Sequence, residues 1–232
     1  MKPNEINDLY NYGYKIIQNS SFFKFSLDSI LLADFVNIDF ADKKLVDFCT
    51  GNAPLPIILS SKIQNITGIE LQKEVYDLAV ESVNINNIKN IELINDNVKN
   101  IKKYFSPNEI DIITCNPPYF KYDEKGVLNK NEIKTIARHE KEITLEEIIK
   151  LAHIYLKTKG KLYFVHRSER IVEIIEVLNK YHFGIKKITC CYYDETKTCN
   201  MVLIEAKKDS KNNIIITAPL FTKNYGGNNK WN

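Results

Sequence analysis

Short apolar runs alternate with amphipathic segments along most of the chain. Five of the runs are typical of buried strands: KLVDF, NITGIE, NIELIND, EIDIITC and KLYFVHR. Segments with helical periodicity lie between them or follow them: LPIILSSKI, QKEVYDLAVESVNINN, VKNIKKYF, TLEEIIKLAHIYLKTKG and residues 169–180. Strands that alternate with helices favour parallel pairing through right-handed crossovers.

The last two apolar runs follow a different rule. GIKKITCCYY and CNMVLIEAKK are separated only by DETKT, which predicts an antiparallel hairpin. The fold class predicted is therefore α/β, with a mostly parallel seven-stranded sheet, a C-terminal antiparallel hairpin and helices on both faces. The residues after Asn212 are expected to add an edge strand.

Helix ends and domain bounds follow from the same pattern. SLDSILLADF predicts a helix from Asp28 to Phe35, and the helix after Thr144 has a capping box with Glu147 and ends just before Gly160. We expect an N-terminal extension or cap at 1–40, the main domain at 41–208 and a tail at 209–232.

Composition narrows the class of protein. The 232 residues are 44% hydrophobic and 26% charged, which is typical of a globular protein, and no apolar run is long enough to span a bilayer. MKPNEINDLY lacks a secretory signal, and the five cysteines and four histidines show no metal-ligand spacing. We therefore expect a cytoplasmic protein with reduced thiols, no membrane contact and no metal.

The chain is nearly neutral, and almost all of its basic residues are lysine. The formal net charge is only +3, and the 32 basic residues include just Arg138, Arg167 and Arg170. In a chain that uses lysine so freely, an arginine indicates either a need for a planar bidentate donor or an ordinary surface salt bridge.

Three acidic residues fall at or just after successive strand ends. Asp47, Glu70 and Asp96 would lie on one rim of a parallel sheet, where Glu70 suits two ribose hydroxyls and Asp96 the amine of an adenine. The turn after Asp47 is not G-x-G-x-x-G, because Cys49, Asn52 and Ala53 stand where glycine would be expected, and this weakens a dinucleotide interpretation. The rim predicts a nucleoside cofactor; the alternative is three solvated loop carboxylates.

The sharpest motif is Asn116-Pro117-Pro118-Tyr119, directly after the fourth strand. Consecutive prolines end strand pairing and fix the Pro117 carbonyl in one direction. That carbonyl and the Asn116 side-chain oxygen suit the two N–H groups of a planar amine, and Tyr119 offers a face for stacking. The alternative is a rigid turn with a surface tyrosine.

These residues together resemble a known family. DFCTGNAPLP, GIELQ, NDN and NPPYF are similar to the class I S-adenosylmethionine-dependent N-methyltransferases, which have a Rossmann-like fold. FKFSLDSILLADF, IARHE and GKLYFVHRSER resemble one branch, the bacterial tRNA(Val) adenine-N6 methyltransferases. The likeness covers about Tyr12 to Lys207, and the family's usual glycine after Asn52 is Ala53 here.

The resemblance implies S-adenosylmethionine as cofactor, tRNA as partner and methylation of the adenine 3′ of the anticodon, with no obligate protein partner. Asn116, Pro117, Pro118 and Tyr119 would hold the base. The implied cofactor residues are Asp28 (or only a helix cap), Asp47, Cys49, Gly51, Asn52, Glu70, Leu71, Asp96, Asn97 and Asn116.

Basic residues in the loop just after the motif, and others elsewhere in the chain, are candidates to bind the phosphates of RNA; the alternative is a solvated charged loop. They are Lys15, Lys24, Lys134, Arg138, His139, Arg167 and Arg170. Other functions stay open: methylation of a protein glutamine, for which the expected helical domain does not precede the first strand; methylation of DNA adenine, for which the 121–142 loop is short; and a non-catalytic RNA-binding protein.

Overall fold

The computed structural model describes residues 3–19, 21, 27–117, 119 and 143–225. Near the N-terminus, strands β1 (Glu5–Asp8) and β2 (Lys15–Gln18) pair antiparallel as a separate two-stranded sheet. The central sheet contains β3 (Lys44–Phe48), β4 (Asn65–Glu70), β5 (Ile91–Asn95), β6 (Ile110–Cys115), β7 (Leu156–Arg167), β8 (Phe183–Tyr192), β9 (Met201–Lys208), β10 (Ile215–Ile216) and β11 (Leu220–Phe221).

The central sheet has the strand order β10-β8-β9-β7-β6-β3-β4-β5, and β11 also pairs with β8. Only β9 runs antiparallel to its neighbours β7 and β8; the other described pairs are parallel. Apart from the two-residue strands, this is the predicted mostly parallel seven-stranded sheet with its C-terminal hairpin. The predicted edge strand after Asn212 is also confirmed, as β10 and β11.

Helices cover both faces of the sheet, as predicted. They are α1 (Leu27–Phe35), α2 (Pro54–Leu59), α3 (Lys73–Ile85), α4 (Leu145–Tyr155) and α5 (Ile171–Lys180). The first three share one apolar core, which includes Leu31, Ile57 and Ala79. The last two share a second core, which includes Ile149 and Ile174.

Within the described ranges, no helix has the length and apolar character that a membrane span requires.

The N-terminal hairpin was not predicted from the sequence. Its strands are four residues long, too short for alternation to be distinctive. Tertiary contacts hold it instead, because the Ile17 N–H donates to the Ser82 Oγ at 2.9 Å, and Ile17 packs with Val75 and Leu78 on α3. The hairpin therefore lies against the same helix that follows β4.

Two predicted helices differ from the structure. The capping box of Thr144 and Glu147 is confirmed, but α4 ends at Tyr155 rather than just before Gly160. Lys159 has φ +65°, and a Cβ on Gly160 would lie 2.8 Å from the Lys157 carbonyl oxygen, so this segment forms an irregularity where β7 joins β6. The segment 98–103 is a short 3₁₀ helix and not an α-helix, since its length gives few hydrogen bonds to offset helix nucleation.

The carboxyl ends of β3, β4, β6 and β7 meet at one rim. The register pairs Phe48 with Ile69 on one side and with Cys115 on the other. Because the chain proceeds from β3 toward β4 and later returns to β6 on the opposite side, the strand order reverses at β3. Open α/β sheets bind ligands in the crevice at such a reversal.

Candidate active site

The turn after β3 has an unusual backbone. Cys49, Gly51 and Ala53 have φ of 56°, 60° and 66°, in the left-handed region that favours glycine. Two of the three positions where glycine was expected, Cys49 and Ala53, thus have the glycine-like conformation; Asn52 does not. A left-handed residue other than glycine costs about 1–2 kcal/mol, so surrounding contacts must hold this turn.

Asp47 is buried below the turn and bonded on both oxygens. The Thr50 and Thr114 hydroxyls each donate to its carboxylate at 2.6 Å. Burial raises the pKa of Asp47 to about 7, against the effect of the two hydroxyls, and the charge of Glu70 adds to the rise. Neither threonine was predicted to take part, since an isolated threonine carries no sequence signal.

Glu70 ends β4 with its carboxylate directed at the turn. One oxygen accepts the Gly51 N–H and the other the Gln72 N–H, both at 2.9 Å. Burial raises the pKa of this carboxyl, and its backbone hydrogen bonds oppose that rise. The Asn95 amide, which sequence analysis missed, donates to the carbonyls of Glu70 and Leu71 and so ties the ends of β4 and β5 together.

Asp96 follows β5 and has several protein partners. Lys103 Nζ and Tyr104 OH donate to one oxygen at 2.8 and 2.9 Å, and Asn100 Nδ2 to the other at 2.7 Å. The Lys103 bond, followed by those of Asn100 and Tyr104, holds the pKa of Asp96 well below its usual range. Asn97 accepts the Lys99 N–H and caps the 3₁₀ helix. An adenine amine at Asp96 would replace or join one of these partners.

The residues around the turn fit a nucleoside cofactor. A Cβ on Gly51 would meet nothing within 4 Å, so the backbone there faces open space. The Glu70 carboxylate lies at the mouth of that space, and the neighbouring Leu71 is 37% exposed, an apolar surface suited to a ring. The Asn52 amide is buried and donates to the Ile17 carbonyl at 2.9 Å, and the contact of Asn52 with a cofactor stays a prediction.

A second group of side chains lies past β6. The Asn116 amide nitrogen donates to Ser29 Oγ at 2.9 Å, and the Asn116 side-chain oxygen contacts the Tyr119 hydroxyl. The same hydroxyl lies 2.8 Å from the Asp28 carboxylate. Asp28 was expected at the cofactor's amino group or as a helix cap; it lies within α1 and bonds to Tyr119.

The end of β7 places His166 next to Tyr119. The fully buried His166 ring meets the Tyr119 ring edge-on, with centroids 5.6 Å apart. Burial, with the charge of Arg170, lowers the pKa of His166 to about 4, so this imidazole is neutral near pH 7. Its Nδ1 accepts the Arg167 N–H at 2.8 Å, and Arg170 NH1 lies 3.5 Å from its Nε2. His166 was not singled out from the sequence.

The two described arginines differ. Arg170 donates to both carboxylate oxygens of Glu173 and to the Tyr119 carbonyl, and its side chain is only 10% exposed. Arg167 Nε is buried and has no hydrogen-bond partner in the described part of the chain. Lys15 lies on β2, where its backbone bonds to the Asn86 side chain.

The other predicted site residues lie outside the described residues. They are Lys24, Pro118, Lys134, Arg138 and His139. Among the described residues, no group of three His, Cys, Asp or Glu side chains is arranged to hold a metal ion. Burial raises the pKa of the Cys115 thiol well above its usual range, which disfavours the reactive thiolate.

Comparisons with known proteins find methyltransferases among the relatives of this chain. A tRNA1(Val) (adenine(37)-N6)-methyltransferase of Aliivibrio salmonicida is 27% identical over 78% of this chain and 75% of its own. A release factor glutamine methyltransferase of Fusobacterium nucleatum is also 27% identical, over 65% of this chain but only 44% of its own.

The fold has solved counterparts. The crystal structure of a predicted O-methyltransferase from Agrobacterium tumefaciens matches with a TM-score of 0.66 at 20% identity, over 84% of this chain and 87% of that one. This confirms the Rossmann-like class I methyltransferase fold. A family model described as methyltransferase small domain matches residues 21–188. Since that match spans most of the chain, the protein belongs to the methyltransferase small domain family.

Proposed function

We propose that this protein transfers a methyl group from S-adenosylmethionine to the exocyclic N6 of an adenine in tRNA, at the position 3′ of the anticodon. One observation carries the proposal: the Asn116 side chain and Tyr119 meet at the end of β6, across β3 from the Glu70 carboxylate. The name of the Aliivibrio salmonicida relative, a tRNA1(Val) (adenine(37)-N6)-methyltransferase, supports the choice of tRNA and of position.

Several residues would hold the cofactor. Glu70 would accept the ribose hydroxyls, Leu71 and Asp96 would face the adenine, and Asp47 with the turn at Gly51 would face the methionine end. When bound, the cofactor supplies an activated methyl group on a sulfonium, which is a good leaving group. The protein then has to orient the nucleophile rather than activate a leaving group.

The nucleophile is the harder part of the reaction. The exocyclic nitrogen of adenine shares its lone pair with the ring, so it is weak in solution. The Asn116 oxygen and the Pro117 carbonyl would accept its two N–H bonds and stabilise the positive charge that develops during transfer. Orientation of this kind supplies up to about 7–11 kcal/mol in favourable cases. The proton would then leave to water or along these contacts, without a histidine base.

The arriving base would displace one contact seen in the structure. The Tyr119 hydroxyl now lies against the Asn116 oxygen that we assign to the substrate amine. The hydroxyl has a single hydrogen and a second acceptor in Asp28, 2.8 Å away. Tyr119 would therefore keep its bond to Asp28 while Asn116 receives the base.

The protein would recognise tRNA mainly through the target base and, to a smaller extent, through phosphates. A loop adenine is unstacked more easily than a duplex base, by about a few kcal/mol. We assign Arg167, whose buried Nε has no hydrogen-bond partner among the residues that the structure describes, to a phosphate of the target nucleotide. Lys15 would contribute at a greater distance along the RNA.

The test is a methylation assay with separated substrates. Purified protein and methyl-labelled S-adenosylmethionine are incubated with unmodified tRNA(Val), the same tRNA with adenine 37 changed to guanine, duplex DNA, or a release factor. We expect N6-methyladenosine by nucleoside mass spectrometry in the first tRNA only. Label solely in the release factor would instead establish a glutamine methyltransferase, the second candidate, since a glutamine amide offers the same N–H pair.

A further inference from the structure

Arg170 connects the start of α5 to the backbone of the Asn116–Tyr119 segment. Its NH1 donates to the Tyr119 carbonyl at 3.2 Å, while Nε and NH2 donate to the two carboxylate oxygens of Glu173 at 3.2 and 2.7 Å. The side chain is 10% exposed, so these bonds form away from bulk water. One guanidinium thus contacts two chain segments separated by 51 residues.

The choice of arginine follows from this geometry. Only three of the 32 basic residues are arginine, so lysine is the default cation of this chain. A guanidinium has a planar fork that can bond a carboxylate with two nitrogens and still direct the third elsewhere. A lysine has one nitrogen and cannot serve Glu173 in a bidentate manner while reaching Tyr119.

Tyr119 is consequently fixed at three separate points. Arg170 holds its carbonyl, the His166 ring lies 5.6 Å from its ring, and Asp28 lies 2.8 Å from its hydroxyl. Each contact comes from a different element: the start of α5, the end of β7 and the first turn of α1. Fixing the carbonyl sets the backbone at the position where the ring leaves the chain.

We infer that Arg170 is a positioning residue for methyl transfer: it fixes the Tyr119 backbone, with Glu173 orienting its guanidinium, so that the tyrosine ring and the Asn116 oxygen are presented to the amine. This inference rests on the proposed function for its assay. It assigns Arg170 to the interior of the pocket, whereas the sequence suggested a contact with RNA. Glu173, which the sequence did not single out, becomes part of the same arrangement.

The experiment compares Arg170→Lys and Arg170→Gln with Lys180→Gln, which removes a positive charge from the exposed far end of α5, where Lys180 pairs with Glu146 at the surface. We expect kcat to fall 10- to 100-fold in both Arg170 variants, because charge without the fork does not hold the carbonyl. The Kd for S-adenosylmethionine should change less than twofold, and Lys180→Gln should behave as the wild type. Glu173→Gln should give a smaller fall in kcat.

Three results would overturn the inference. The first is wild-type kcat in Arg170→Lys. The second is a raised KM for tRNA at unchanged kcat, which indicates an RNA contact instead. The third is an equal loss of cofactor affinity and thermal stability in both Arg170 variants, which indicates a general structural role.

A measurement without turnover separates this inference from the proposed function. Hydrogen exchange at the Asn116 and Tyr119 amides should accelerate in Arg170→Gln and not in Lys180→Gln. Equal exchange in the two variants would refute the positioning role whatever the substrate is. If the wild type methylates another amine, the kinetic comparison is run on that amine, so failure of the tRNA proposal is seen in the wild type alone.

Discussion

The two halves of the rim are held together in different ways. In the cofactor half, formed by Asp47, the turn 49–53, Glu70 and Asp96, most partners are near in sequence: the Asp96 carboxylate is bonded by residues within eight positions. In the pocket half, formed by Asn116, Tyr119 and the residues that bond them, the partners are distant. Asp28 is 91 positions from Tyr119, and Ser29 is 87 from Asn116.

This difference has a consequence for stability. A carboxylate such as Asp96, which is bonded by its sequence neighbours, keeps its partners when a remote helix moves, whereas a pocket assembled from α1, β7 and α5 depends on the docking of all three. We therefore expect methyl transfer to be more sensitive than cofactor binding to changes far from the rim.

Asn116→Ala removes the central acceptor of the pocket half. We expect kcat to fall about 10²- to 10³-fold, the usual loss when one group that stabilises developing charge is deleted. The Kd for S-adenosylmethionine, measured by calorimetry, should stay within about twofold. Ser29→Ala, which deletes only the partner of the Asn116 amide, should give an intermediate kcat. Unchanged turnover in Asn116→Ala would show that this side chain does not contact the amine.

Glu70→Gln tests the cofactor half. A charge-assisted hydrogen bond contributes about 1.5–3 kcal/mol, so we expect the Kd for S-adenosylmethionine to rise about 10- to 100-fold. At saturating cofactor, kcat should be nearly that of the wild type. Glu74→Gln, an exposed glutamate on the following helix, is the matched control. A loss of kcat without a change in Kd would remove the distinction between the two halves.

Asp47 and His166, one from each half, should respond oppositely to acid. Burial raises the pKa of Asp47 from 3.8 to about 7, so its contribution to the free energy of unfolding is present below about pH 4 and is lost as pH rises through 7. Burial lowers the pKa of His166 from 6.5 to about 4, so its contribution is present above pH 6.5 and is lost as pH falls through 4.

These contributions oppose each other in the wild type, and single variants should separate them. Relative to the wild type, the slope of the free energy of unfolding against pH should be more positive in Asp47→Asn between about pH 4 and 7, and more negative in His166→Gln between about pH 4 and 6.5. The change in slope is at most about 1.4 kcal/mol per pH unit for each variant. Urea unfolding at several pH values measures it. Two variants with the wild-type profile would contradict both pKa shifts.

The sheet and its hairpin could be predicted because they depend on local sequence pattern. Strand and helix alternation predicted the sheet, and the short DETKT spacer predicted the hairpin. The left-handed backbone at Cys49 and Ala53 was not predicted, because neither residue is a glycine. The carboxylates at strand ends were found because parallel strands place their ends on one rim.

Long-range contacts explain what was missed. The pairing of Asp28 with Tyr119 and the docking of β2 on α3 depend on segments that approach only after folding, so no spacing reveals them. The end of α4 was misplaced because Lys157–Gly160 continues the helical pattern, while pairing with β6 draws the segment into β7. Arg170 was noted for its rarity, yet its partner was a backbone carbonyl that no sequence pattern identifies.

The bond from the Asn52 amide to the Ile17 carbonyl bears on how the chain can be shortened. A minimal fragment that begins at α1 would lack the β1–β2 hairpin. That cut would strip a buried amide of its acceptor, a loss of about 1–3 kcal/mol, beside the residues that hold the cofactor turn. Strands β1 and β2 therefore support the turn that would hold the methyl donor, and an active fragment has to include them.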